Sequence, residues 1–178
     1  MAKYIIDTET GICEPYHEEI PETKGEKLYK LFKQFEGTKE YDGIVAQIQK
    51  WYYGSLVKAS WCATAVSYFA SQLGIPIKAE NVNVLRLKCK NLATIHKTGE
   101  FYDRTGNGLP DTIKRGDILF WLWSGDTMTN TSSKHVGVCA AEKVAIQSAV
   151  VPCIGGNQDN SICVKNYDTR KLCAVYRL

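Results

Sequence analysis

The first half of the chain repeats its apolar residues at helical spacing, and the second half gathers them into short runs broken by turn residues. Thr23 and Glu26 form a capping-box pattern, and Leu28, Leu31, Phe32 and Phe35 follow on one helical face before Gly37. A second helix is predicted over Tyr41 to Tyr53, with Ile44, Ile48, Trp51 and Tyr52 on one face and Gly54 beyond it. In SWCATAVSYFASQLGIP, Ser60 is the expected N-cap of a third helix. Ala65, Val66, Phe69 and Leu73 form its apolar face, and Gly74 and Pro76 end it. A fourth, weaker helix fits Val82 to Leu92, and Lys97 to Asp111 reads as a long loop. After Lys114 the segments RGDILFWLW, HVGVCAA, KVAIQSAVV, SICVKNY and KLCAVYRL read as strands. Helices first and strands second predict an α+β fold, with the N-terminal helices packed on a C-terminal antiparallel sheet.

Residues 1–22 are acidic and turn-rich and read as a leader or arm, which leaves 23–178 as a single domain. Its 44% hydrophobic and 23% charged residues are ordinary for a globular chain. A net charge of +3 with no basic stripe gives no reason to expect nucleic acid as a partner. No stretch is long and apolar enough for a membrane span. The opening MAKYIIDTETGICEPYHEEIPE is not patterned as a signal peptide, so the expectation is synthesis in the cytoplasm. Seven cysteines, an odd number without a CxxC pair, fit reduced thiols better than a disulfide framework or a zinc site. No cofactor and no metal are expected. DRTGNG, from Asp103, is only a fragment of a calcium loop.

Cys62 stands in the first turn of the third helix, where unpaired N–H groups and the helix dipole favour a thiolate. Such a nucleophile needs a base. His17 lies in the leader and His96 near the long loop, whereas His135 opens the strand HVGVCAA after the polar loop TMTNTSSK. A histidine at a strand end is held by the sheet and can still face a groove, which makes His135 the best placed of the three. Asn157, in what reads as a tight glycine turn, or Asp159 two residues on, can accept the Nδ1–H bond that fixes an imidazole. Each of these residues also has an ordinary structural reading, as a core thiol, a strand-end histidine or a turn residue.

Taken in order, SWCATAVSYFASQLGIP, KRGDILFW, KHVGVCAA and IGGNQDNSICV resemble the CHAP-like cysteine peptidoglycan hydrolases of the NlpC-type and papain-like superfamily, particularly phage and prophage members. The resemblance covers about residues 40 to 178. It implies a papain-like (CHAP) core with Cys62 as nucleophile, His135 as base and Asn157 as the orienting residue. Many CHAP domains carry a glutamate two residues before that asparagine, where this chain has Gly155. Trp61, beside the cysteine, and Trp121 and Trp123, on the following strand, either wall a groove for sugar or peptide or pack the core.

The resemblance further implies hydrolysis of an amide in bacterial peptidoglycan, by an N-acetylmuramoyl-L-alanine amidase or an endopeptidase, with a slight lean to the amidase. An enzyme of this endolysin kind acts at the cell wall if it is released, with a holin or another release system as partner. Two alternatives stand beside it. One is a non-catalytic peptidoglycan-binding or phage structural protein on the same fold. The other is a cysteine amidase toxin acting on another substrate, since fold does not fix substrate.

Overall fold

The Thr23 hydroxyl oxygen accepts a hydrogen bond from the Glu26 backbone N–H at 3.1 Å, and this cap starts helix α1 (Lys24–Gln34), whose Leu28 and Phe32 are buried. The computed structural model describes residues 4–6, 13–15, 21–123 and 133–178. His17 and residues 127–132 of the polar loop lie outside them. Within the leader, β1 (Tyr4–Ile6) and β2 (Cys13–Pro15) pair antiparallel.

Helix α2 (Gly43–Tyr53) ends on Gly54 in the left-handed conformation, as its sequence predicts, but begins after Asp42 rather than at Tyr41. Helix α3 (Cys62–Gln72) has Trp61 rather than Ser60 at its N-cap, and no side chain caps it. Helix α4 (Val82–Thr94) is capped by Asn81, whose side-chain oxygen accepts from the N–H groups of Asn83 and Val84. No helix among the described residues is long and apolar enough to cross a membrane.

The remaining strands are β3 (Glu100–Asp103), β4 (Thr112–Lys114), β5 (Ile118–Trp121), β6 (His135–Cys139), β7 (Lys143–Ala145), β8 (Val150–Gln158), β9 (Ser161–Asp168) and β10 (Leu172–Arg177). Six of them form an antiparallel sheet in the order β3-β10-β5-β6-β8-β9, and β4 pairs with β7. The fold is therefore α+β, with the helices on one face of the sheet. Val136, Val138 and Ile154 pack with the helices, while Leu119, Trp121, Cys139, Cys153 and Val175 face the other way, toward Ile113 of β4.

Two expectations are corrected. The loop over Lys97 to Asp111 contains an edge strand, β3, paired with β10. KVAIQSAVV is two strands, because a turn over Ile146–Gln147 separates β7 from the start of β8.

Buried ion pairs account for several of the polar motifs. Asp117 of the GD motif accepts two bonds from Arg177, from Nε at 3.0 Å and Nη2 at 2.8 Å, and a third from the Lys114 N–H. Before it, Gly116 has φ +86°, and a Cβ there would lie 2.1 Å from the Gly25 carbonyl carbon, so only glycine fits against α1. Asp103 of DRTGNG accepts from Arg86 at 2.6 Å and from Thr105. Burial pushes its carboxyl up, but the bonds from Thr105 and Arg86 outweigh burial and hold it below the usual range. The carboxylate that would lead a calcium loop is thus committed to a guanidinium. Arg86→Met should leave Asp103 buried and unpaired and destabilise the fold by ~3–5 kcal/mol. Adding Asp103→Leu should restore most of that loss, as measured by urea unfolding.

Candidate active site

Cys62 is the first residue of α3, and His135 the first residue of β6. The sheet brings them to the same strand end. Burial raises the pKa of Cys62, which is 2% exposed, while donor groups near the sulfur, the Val136 N–H next to His135 in the chain foremost and the Ser60 hydroxyl after it, pull the other way without overcoming it. The resting group is a thiol, despite its place at a helix start.

His135 sits among near-parallel rings. Trp123 stacks on it at 5.6 Å between centroids and Tyr167 at 5.3 Å, and Trp121 stacks on Tyr167 at 5.1 Å. Burial, and secondarily the charge of Lys165, lower its pKa from 6.5 to about 4, while a hydrogen bond with the Gln158 side chain pulls the other way. The imidazole is therefore neutral at neutral pH. Its Nε2 is buried and has no hydrogen-bond partner among the described residues. That leaves Nδ1 as the nitrogen facing Gln158.

The side chain next to the imidazole is thus Gln158, while Asn157 and Asp159 bond elsewhere. GGNQ is not a turn but the end of β8, and the register slips between Gly155 and Gln158. In a regular strand Asn157 would share the face of Cys153 and Gly155. The bulge, with Asn157 at φ 57°, gives that face to Gln158 instead. The Gln158 amide is locked in one orientation. Its Nε2 donates to the carbonyls of Cys163 at 2.6 Å, Cys153 at 3.2 Å and Gly155 at 3.3 Å, and its Oε1 accepts from the Tyr167 hydroxyl at 2.6 Å. Oxygen is left for the imidazole. Asn157 instead donates from Nδ2 to Ser60 Oγ at 3.1 Å, and Asp159 is exposed and paired with Lys165. The adjacent amides of Asn157 and Gln158 were the available signal, but their order on the two faces depends on the bulge.

The tryptophans divide. Trp61 and Trp121 are 0% exposed and cannot line a groove. Trp61 packs so closely on β8 that a Cβ on Gly156 would lie 2.5 Å from its ring, which accounts for the second glycine of GGNQ. Trp123 is 49% exposed and stacks on His135. Of the other histidines, His96 lines a shallow pocket with Pro76, Lys88, Asn91 and Leu92, away from these residues. Among the described residues, no three His, Cys, Asp or Glu side chains gather as a metal site would.

The depressed pKa of His135 has a consequence for stability. The unfolded imidazole binds a proton as pH falls through about 6.5, and the folded one only near 4. Stability should therefore fall as pH drops through that window, by on the order of 3 kcal/mol from this group. Urea unfolding at pH 7 and pH 4.5 should show a smaller loss in His135→Gln than in the parent chain.

Compared with known proteins, the chain matches no protein-family model and no curated protein.

Proposed function

We propose that the chain is a cysteine hydrolase that cleaves an amide bond of peptidoglycan, on a papain-like core of the CHAP kind. The observation that carries the reading is the buried Nε2 of His135, which has no hydrogen-bond partner among the described residues. A buried imidazole nitrogen without a partner is costly. This one belongs to a ring with Gln158 beside it, at the strand end where Cys62 also lies. A thiol proton, and later the nitrogen of a scissile amide, are the natural partners for it.

Both groups start neutral, so His135 acts as a general base. It takes the Cys62 proton as the sulfur attacks the carbonyl, and Gln158 steadies the imidazolium that forms. The oxyanion develops at the uncapped start of α3, within reach of the Cys62 N–H. His135 then protonates the leaving amine, the acyl group remains as a thioester, and water activated by the same imidazole releases it. The choice of peptidoglycan rests on the sequence resemblance, as does action at the wall after release by a holin-like partner.

Digestion of purified peptidoglycan with mass analysis of the products tests the reading. New alanine N-termini and bare glycan identify an amidase, and other new amines an endopeptidase. New reducing sugar ends without new amines would refute both. The 2% exposure of both Cys62 and His135 favours one second reading, a peptidoglycan-binding protein without turnover. In that case the chain sediments with the polymer and releases nothing.

A further inference from the structure

Tyr167 of β9 touches two parts of the site at once. Its ring stacks on the His135 imidazole at 5.3 Å between centroids, with the planes 17° apart. Its hydroxyl donates to Gln158 Oε1 at 2.6 Å. Both ends of the side chain are braced. The ring stacks in turn on Trp121, which is fully buried. The hydroxyl ends on an amide that cannot turn, because Gln158 Nε2 donates to the carbonyls of Cys153, Gly155 and Cys163. A phenol ring backed by a buried indole and tied at its far end has its plane fixed, and the imidazole lies nearly parallel to that plane.

Tyr167 and His135 stand on β9 and β6, with β8 between them. Glycine in β8 makes room for this arrangement. A Cβ on Gly155 would lie 3.2 Å from Gln158 Nε2, so a side chain there would press on the amide that the Tyr167 hydroxyl holds.

Stacking suits a base in a way that a further hydrogen bond does not. The lone pair of an imidazole nitrogen lies in the ring plane, so a tilt of the ring turns it away from the proton it must take. A contact on the face fixes that plane and leaves the edge open, and Nε2 of His135 has no hydrogen-bond partner among the described residues. Once protonated, the imidazolium also meets the electron-rich face of the phenol ring.

We propose that Tyr167 is a positioning residue for His135, its ring fixing the plane of the imidazole and its hydroxyl fixing the ring against Gln158. The effect on rate rests on the cysteine-hydrolase reading, and the effect on the ring does not.

The test is proton NMR of the full chain, with the His135 imidazole resonances assigned by their loss in His135→Gln. Aromatic faces shift the protons above them upfield, so Tyr167→Leu should move these resonances downfield. Tyr167→Phe keeps the ring and should hold them near the parent position. In peptidoglycan digestion, Tyr167→Leu should lower kcat about tenfold with little change in KM, as loss of an aromatic face beside a cation implies. Tyr167→Phe should recover most of that loss. Tyr167→Met fills similar space without a ring and takes the place of the leucine variant where that one fails to fold. Unmoved resonances in the ringless variants would overturn the proposal. So would a Tyr167→Phe chain as slow as the ringless ones, or a loss confined to KM, which would put Tyr167 against the substrate instead. Moved resonances in a chain that releases no products retain the positioning of the ring and remove the hydrolase, and turnover with unmoved resonances does the reverse.

Discussion

Cys62→Ser is expected to abolish amide hydrolysis, by ~10⁴-fold or more, in a protein that still folds. The site offers a serine little help. The donors around the sulfur are arranged to stabilise a thiolate, and burial opposes any charge there. A hydroxyl starts from a far higher pKa and would need a stronger base than an imidazole held near 4. The fold should survive, because one oxygen replaces one sulfur at the edge of the core and the helix keeps its Thr64 hydrogen bond to the Trp61 carbonyl. Thermal unfolding checks that point, and peptidoglycan digestion measures the activity. Parent-like turnover from folded Cys62→Ser would end the cysteine-hydrolase reading. Cys89, Cys139 and Cys153 should resist alkylation and not reproduce the effect. Cys89 and Cys153 are fully buried with pKa values pushed well up, and burial pushes Cys139 up to about 12.

The helices were legible because their caps and periodic faces are local. Thr23 and Gly54 each act within one turn of their own sequence, and Leu28, Phe32, Val66 and Phe69 report the buried side directly. The sheet was less legible. Strand β3 has four residues between Gly99 and a turn at Arg104–Asn107, too few to show a period, and it is a strand only because β10 pairs with it. The same limit applies to the site. Cys62 and His135 are element-initial residues, visible as the ends of a helix pattern and a strand pattern. The third position depends on which face of β8 each residue occupies, and a one-residue bulge exchanges the faces. Burial of Trp121 was hidden for another reason. Alternation says that a residue faces one side of a sheet, but not whether that side is covered, and here both sides are.

The division of labour between Gln158 and Asn157 should appear in the pH dependence of kcat/KM. The base must be neutral to accept the thiol proton, and burial holds the pKa of His135 down at about 4, so activity should persist well below pH 6 and fall as pH passes through about 4. A preformed thiolate–imidazolium pair would instead lose activity on the alkaline side as the imidazolium deprotonates. His135→Ala removes the proton transfer and should cost ~10²–10⁴ in rate. Gln158→Ala removes the bond that favours the imidazolium. Its plateau should fall roughly tenfold to a hundredfold, the worth of a hydrogen bond to a charged group, and its acid limb should move to lower pH. Gln158→Glu places a carboxylate beside the same nitrogen and should move the limb up, toward neutrality. Asn157→Ala, whose amide bonds Ser60 and not the imidazole, should leave the limb in place. The opposite pattern, with Asn157→Ala moving the acid limb and Gln158→Ala leaving it unmoved, would return the orienting role to Asn157.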